Sequence, residues 1–213
     1  MKAAYAVLFT CLVCSTAVRA QKKAVTETGQ QVILYDDGTW KYESDSTADP
    51  SDTTTIRMNP TKFVKSEPAN FLVKSTKVAP ISFWVNPKKW RFEKGTGSDR
   101  EYTLQLKGED LYAMLITERI IIPLESLKKA AIQNALQAAP DAQILYEDYR
   151  MVNGLKVLCM QMKGTVQGIK FVYFGYYYSD GHGTVQFTAY TSESLWNSYK
   201  ESAIELLNGL MEP

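Results

Sequence analysis

The sequence predicts an α+β fold: an antiparallel β-sheet flanked by helices on both faces (an α/β/α sandwich), preceded by a short N-terminal β-hairpin. Three observations carry that prediction. Apolar side chains recur every second residue through Ala142 to Thr191, interrupted by turn signals at Asn153-Gly154, Gly164 to Gly168 and Asp180-Gly181-His182-Gly183. On either side of that stretch the apolar spacing becomes helical. Near the N-terminus, Gln31 to Glu43 places Asp36-Asp37-Gly38 between β-branched and aromatic runs, the pattern of a tight hairpin turn.

The chain begins with an export signal. Lys2 is followed by an apolar run from Ala3 to Val13 and then by Ala17-Val18-Arg19-Ala20, small residues at the exit flank that a signal peptidase can hold. The run is too short for a permanent bilayer span, which needs about twenty apolar residues. Residues 1–20 are therefore expected to be removed, leaving an exported protein, periplasmic or extracellular, with no integral membrane span. A lipoprotein anchor is the weaker alternative. It would acylate Cys11 or Cys14, but Thr10 and Val13 stand where Gly, Ala or Ser is usual. Cleavage also removes both of those cysteines. Cys159 alone remains, so no internal disulfide can form and the core must supply the stability.

Without Lys2 and Arg19 the charged residues are 22 basic against 23 acidic, mixed along the chain. Nucleic-acid binders gather a basic excess on one face, so no nucleic-acid partner is expected. The remaining length, about 190 residues, supports one good core.

Residues 21–43 form the hairpin segment. An isolated two-stranded hairpin is marginal in water, so either Leu34, Trp40 and Tyr42 dock on the main domain or on a partner, or the segment is an appendage. Residues 44–59, rich in Ser, Asp and Thr, read as a linker with too little apolar area to offset its ordering entropy. Residues 60–213 form the domain, with regular structure expected from near Phe71. Strands are expected over Ile81 to Asn86, Tyr102 to Leu106 and Ala113 to Ile120. Pro123 opens a helix carrying Leu124, Leu127, Ala131, Ile132, Ala135 and Leu136 at helical spacing, stopped by Ala139-Pro140. Four strands follow, Ala142 to Val152, Leu155 to Lys163, Ile169 to Ser179 and Thr184 to Thr191, joined as an antiparallel meander. A final helix from Glu193 to Leu207, capped by Thr191 or Ser192 and closed by Asn208-Gly209, presents Leu195, Trp196, Tyr199, Ala203, Leu206 and Leu207 as one stripe.

This order of elements, the strand ending in Asn86-Pro87 with Trp90 three residues on, the Asn153-Gly154 hairpin and the terminal helix with Leu195-Trp196 resemble the PsbP-like fold family. That family includes the extrinsic PsbP subunit of photosystem II, DcrB-like bacterial lipoproteins and a Ran-binding nuclear import factor. The resemblance covers roughly residues 71 to 211. It implies a sheet with helices on both faces and an accessory or binding role, without fixing one activity.

Few residues offer chemistry. His182, the only histidine, would have to serve any Ser-His-Asp or Cys-His mechanism, and it sits in a glycine-flanked turn. Asp180 and His182 give two metal ligands where zinc wants three or four, so no metal and no cofactor is expected. Cys159 lies among Val157, Leu158 and Met160 and reads as a small buried hydrophobe. Glu118 follows Met114 and Ile116 at alternate positions; it is either a buried acid paired with a group such as Arg150 or a marker of the sheet's edge. No phosphate loop, dinucleotide fingerprint or hydrolase signature is present, and Gly95-Thr96-Gly97-Ser98 is a loop between strands.

The run Phe171 to Tyr178 alternates Phe171, Tyr173 and Tyr177 on one face with Phe174, Tyr176 and Tyr178 on the other. Most of these rings are expected in the core. Tyr176 and Tyr178, with Trp84, Trp90 and His182, are the candidate docking residues, because interfaces favour amphipathic aromatics. The sequence thus reads as an exported non-enzymatic module that binds a protein or envelope component. The alternative is a small-molecule or metal-dependent hydrolase using Asp180, His182 and Glu118. Oligomeric state is left open by the sequence.

Overall fold

The computed structural model describes residues 22–25, 31–34, 40–42, 56–96 and 100–212. The expected signal peptide, the Asp36-Asp37-Gly38 turn, most of the linker and Gly97-Ser98 lie outside the described residues. In chain order the first elements are β1 (Lys22–Val25), β2 (Gln31–Leu34), β3 (Trp40–Tyr42), β4 (Met58–Phe63), β5 (Phe71–Lys74), β6 (Ser82–Val85), β7 (Trp90–Lys94), β8 (Tyr102–Leu106) and β9 (Tyr112–Glu118). They are followed by α1 (Leu124–Ala138), β10 (Gln143–Val152), β11 (Leu155–Val166), β12 (Ile169–Asp180), β13 (Gly183–Ser192), a 3-10 turn at Glu193–Leu195, α2 (Trp196–Leu207) and β14 (Leu210–Met211).

The chain is α+β, with a large mixed sheet ordered β4-β10-β11-β12-β13-β9-β8-β7, a small sheet β14-β6-β5 and an N-terminal sheet β1-β2-β3. The meander forms as expected, because each long strand alternates its apolar residues and each link turns tightly. Asn153 and Gly154 both take positive φ, 47° and 91°, the left-handed pair that a two-residue hairpin needs. The expectation of a wholly antiparallel sheet is corrected at one edge, where β4 runs parallel to β10. Met58 and Asn59 therefore belong to the sheet and not to the linker. Pro60 lies within this edge strand, where a missing N–H costs little. The hairpin β2-β3 forms and gains β1 as a third strand. In it Leu34, expected to dock, is exposed, while Val32 is buried.

Two clusters of buried side chains share the central strands. One contains Val157, Cys159, Phe174, Tyr176, Val185, Phe187 and Ala189 from the large sheet, Phe83 and Val85 from β6, and Trp196, Ala203, Leu206 and Leu207 from α2. The other contains Leu158, Met160 and Tyr177 with Leu127 and Ala131 of α1. The first cluster joins the small sheet and α2 to the large sheet, and the second joins α1 to it through alternate residues of the same strands. In the first cluster the rings of Phe83 and Phe187 are 5.1 Å apart, and those of Phe174 and Trp196 5.6 Å. The final helix starts with a 3-10 turn at Ser192, whose side chain makes no capping hydrogen bond, so neither expected hydroxyl cap forms there.

Polar groups on the side of α2 are bound internally. Glu101, buried, accepts hydrogen bonds from the Ser75 and Thr76 hydroxyls, the Thr76 N–H and the Thr117 hydroxyl. These bonds tie the end of β5 to β8 and β9. Burial alone would raise the Glu101 pKa; the four hydrogen bonds outweigh it and hold the carboxyl below its ordinary value. Asp148 and Arg150 form a buried pair at 2.7 Å, with the guanidinium 4.6 Å over the Phe63 ring. Their burial next to β4 fixes the parallel edge strand, whose Asn59 also donates to Asp148 at 2.7 Å.

Candidate functional site

The side of the sheet facing α1 is only half covered. Helix α1 is anchored by Leu127 and Ala131 against β11 and β12. Its next groove-side positions, Asn134, Ala135 and Ala138, are short and do not reach across the sheet. Beyond them β12, β13 and β9 stay open. The result is a groove of about 240 Å³ with Met114, Ile116, Tyr173, Tyr177, Gln186 and Thr188 on its floor and the α1 alanines as one wall. Met162 stands at its edge, while the next residue, Lys163, directs its side chain to the other face, 4.0 Å from Glu193.

Strand register builds that floor. Met114, Thr188, Gly175 and Met160 face one another across four strands, as do Ile116, Gln186, Tyr177 and Leu158. Gly175 leaves a gap in the first row because the Tyr177 ring folds into it. A methyl group on Gly175 would stand 3.0 Å from that ring and 2.9 Å from the Thr188 hydroxyl. Burial pushes the Tyr177 phenol up to about 12, despite a hydrogen bond with Thr188, so it is neutral at any physiological pH. The groove is lined by thioethers, methyls and ring faces with a few neutral polar groups, which is the chemistry of a small-ligand site.

Next to the groove a row of tyrosines crosses the same three strands. Tyr173 stacks on Tyr190 at 5.7 Å, Tyr190 on Tyr112 at 5.8 Å, and Phe171 adjoins Tyr173 at 6.2 Å. All four are half-buried. Burial raises the phenols of Tyr173 and Tyr190 above their ordinary value.

The residues singled out from the sequence lie elsewhere. Trp90 is 3% exposed and Tyr176 fully buried, so neither offers a docking surface. Alternation directs both toward the filled side of the sheet, where the Tyr176 hydroxyl donates to Asn208 at 2.8 Å and accepts from Arg150. Trp84 is half-buried; its ring N–H points to the Met211 sulfur, and the Lys65 ammonium lies 5.0 Å over the ring. Cys159 is fully buried, and burial pushes its thiol well above the usual range. Glu118 is exposed and marks the end of β9, while Arg150 is engaged by Asp148 on the opposite face.

Tyr178 and His182 do come together, with Asp180, which the sequence had paired with His182, and with Glu212, which it had not indicated. The Asp180 carboxylate lies 2.9 Å from His182 Nδ1, and Glu212, just beyond β14, approaches the same nitrogen at 3.8 Å. The Tyr178 hydroxyl is 3.3 Å from both carboxylates. The Asp180 hydrogen bond and charge hold the imidazole above its ordinary value. The groove itself was missed at the sequence level. Its one signal was the small-residue spacing Ala131, Ala135, Ala138 on a helix that otherwise carries Leu and Ile.

No family model matches this sequence, and no curated protein matches it. Solved structures do. The cyanobacterial PsbP (CyanoP) of Synechocystis sp. PCC 6803 aligns with 67% of this chain and 92% of its own, at a TM-score of 0.50 and 14% identity. LpqN of Mycobacterium tuberculosis, described as involved in cell envelope biogenesis, aligns with 62% of this chain and 83% of its own, at a TM-score of 0.43 and 13% identity. A Bacteroides thetaiotaomicron protein aligns over 67% of this chain and 48% of its own, at a TM-score of 0.42 and 13% identity. The fold is PsbP-like. Among the described residues no helix is long and apolar enough to cross a membrane, which says nothing of β-barrels.

Proposed function

We propose that this chain is an exported, non-catalytic binding module that takes the apolar tail of a small envelope amphiphile into the groove beside α1. The observation that carries the reading is the open half of the sheet, an apolar floor bounded by alanines that leave room for a ligand. Burial of methylene groups against Met114, Ile116 and Tyr173 would supply the affinity, roughly 0.8 kcal/mol for each buried CH₂. The methionines suit a flexible tail, since thioether side chains adapt to their contents. Among the groove's lining residues no nucleophile is paired with a base, which supports a binding role over a catalytic one.

In this reading the large sheet is the middle layer of an α/β/α sandwich, sealed by α2 on one face and half covered by α1 on the other. The binding unit runs from Met58 onward, and residues 21–43 are an appendage on a polar tether. Titration of the purified protein with a fluorescent long-chain fatty acid tests the proposal. Saturable binding is expected. Ala135→Trp should abolish it while leaving the melting temperature in place, because the indole fills the groove. Absence of saturable binding to the wild type, or equal binding by Ala135→Trp, would overturn the reading.

A further inference from the structure

The geometry points to a second site, independent of the groove: a divalent transition-metal site made by Asp180, His182 and Glu212 at the tip of the β12-β13 hairpin. Two of these ligands are close in sequence and sit in one turn. The third comes from beyond β14, so the set exists only once the C-terminal strand has paired with β6. One ligand atom from each residue lies within 4.8 Å of the others. The His182 Nδ1 is 2.9 Å from Asp180 and 3.8 Å from Glu212. Donor atoms around a tetrahedral zinc ion, each about 2.0 Å from the metal, stand about 3.3 Å apart. The observed separations bracket that value, so closing the site takes side-chain movements of a few tenths of an ångström up to about an ångström on this estimate.

Each part of the set has its chemistry. The Asp180 carboxylate divides its work: Oδ1 accepts the N–H groups of His182 and Gly183 and fixes the turn, which leaves Oδ2 turned toward the imidazole. The Tyr178 hydroxyl, 3.3 Å from both Asp180 Oδ2 and Glu212 Oε2, stands where an outer partner orients ligating carboxylates. Two carboxylates and a neutral imidazole carry a charge of −2, which a dication neutralises. One nitrogen with two oxygens favours zinc and its first-row neighbours over magnesium and calcium, which take oxygen alone. Binding at Nδ1 leaves the neutral ring with its one proton on Nε2, and a fourth coordination position is left to water. Because Glu212 follows β14 while Asp180 and His182 belong to the large sheet, the ion would also pin the small sheet to the hairpin.

Calorimetric titration of the tag-free protein with Zn²⁺ tests the assignment, with melting temperature as a second readout. One ion per chain is expected. The melting temperature should rise with Zn²⁺ and not with Mg²⁺, as binding to the folded state alone requires. His182→Ala should abolish binding. Glu212→Gln should weaken it by at least about tenfold, the loss that even outer-shell changes produce. Both residues lie at the surface, so each variant should fold, and circular dichroism checks that. No Zn²⁺ binding by the wild type, or undiminished binding by Glu212→Gln, would overturn the site.

Discussion

The two faces of the large sheet are built from the same strands and end up with opposite roles. One cluster joins Val157 and Cys159 of β11, Val172, Phe174 and Tyr176 of β12 and Val185, Phe187 and Ala189 of β13 with Phe83 and Val85 of β6 and Trp196 and Leu206 of α2. Facing α1, the intervening residues of β9, β12 and β13 meet a helix whose contact side shrinks from Leu127 to alanine. The difference is one of side-chain size and not of polarity pattern. Alternation guarantees two apolar faces, and what lies over them decides which is filled and which is left with a groove.

The widest gap between the faces should appear in stability. Phe187→Ala removes a fully buried ring packed on Phe83 and should cost about 3–5 kcal/mol. Met114→Ala, on the groove floor of the other face, should cost about 1 kcal/mol or less. Urea denaturation of the two variants measures both. Equal losses would mean that the open half is core after all.

A smaller effect belongs to the join between the sheets on the filled face. Glu101 has its pKa lowered by folding, so its contribution is fully present above the unfolded value near 4.5 and is lost as pH falls through the lower folded value. Glu101→Gln should reduce stability at neutral pH by roughly 1.5–3 kcal/mol, the scale for hydrogen bonds to a charged group. It should also flatten the decline in stability between pH 5 and 3. A variant with an unchanged acid limb would show that these hydroxyls do not hold the ionised form.

Much of the filled face was legible in the sequence, because period-2 alternation and Asn-Gly chemistry are local. Tyr102 to Leu106 and the four meander strands fall where their residues place them. Several other strands, β1, β4, β7 and β14 among them, were not legible. Met58–Phe63 carries Asn and Pro in its centre and exists because Asp148 and Arg150 hold it, a contact across about 90 residues of chain. Trp90 and Tyr176 were chosen for their residue type, but the same alternation that defined the strands sends them inward. The groove depends on the absence of side chains at Ala135, Ala138 and Gly175, and an absence leaves almost no trace in a single sequence. Glu212 could not be linked to His182 before β14 was seen to pair with β6.

The smallest expected effect concerns the tyrosine row at the edge of the open face. Tyr173, Tyr190 and Tyr112 are opposite one another in register and stack at interplanar angles of 29° and 24°. Cross-strand aromatic pairs of this kind contribute about 0.5–1.5 kcal/mol beyond area burial. Tyr190 touches both neighbours, so Tyr190→Leu keeps most of the apolar area and loses both stacks, while Tyr112→Leu loses one. A double-mutant cycle on Tyr112 and Tyr190 should therefore give a coupling of about 0.5–1 kcal/mol. The row flanks the groove without lining it except through Tyr173, so Tyr112→Leu should leave fatty-acid affinity unchanged and Tyr173→Ala should reduce it. If Tyr112→Leu weakened the ligand as much as Tyr173→Ala does, the row would be part of the binding floor, and the boundary between packing and site on this face would move out to Tyr112.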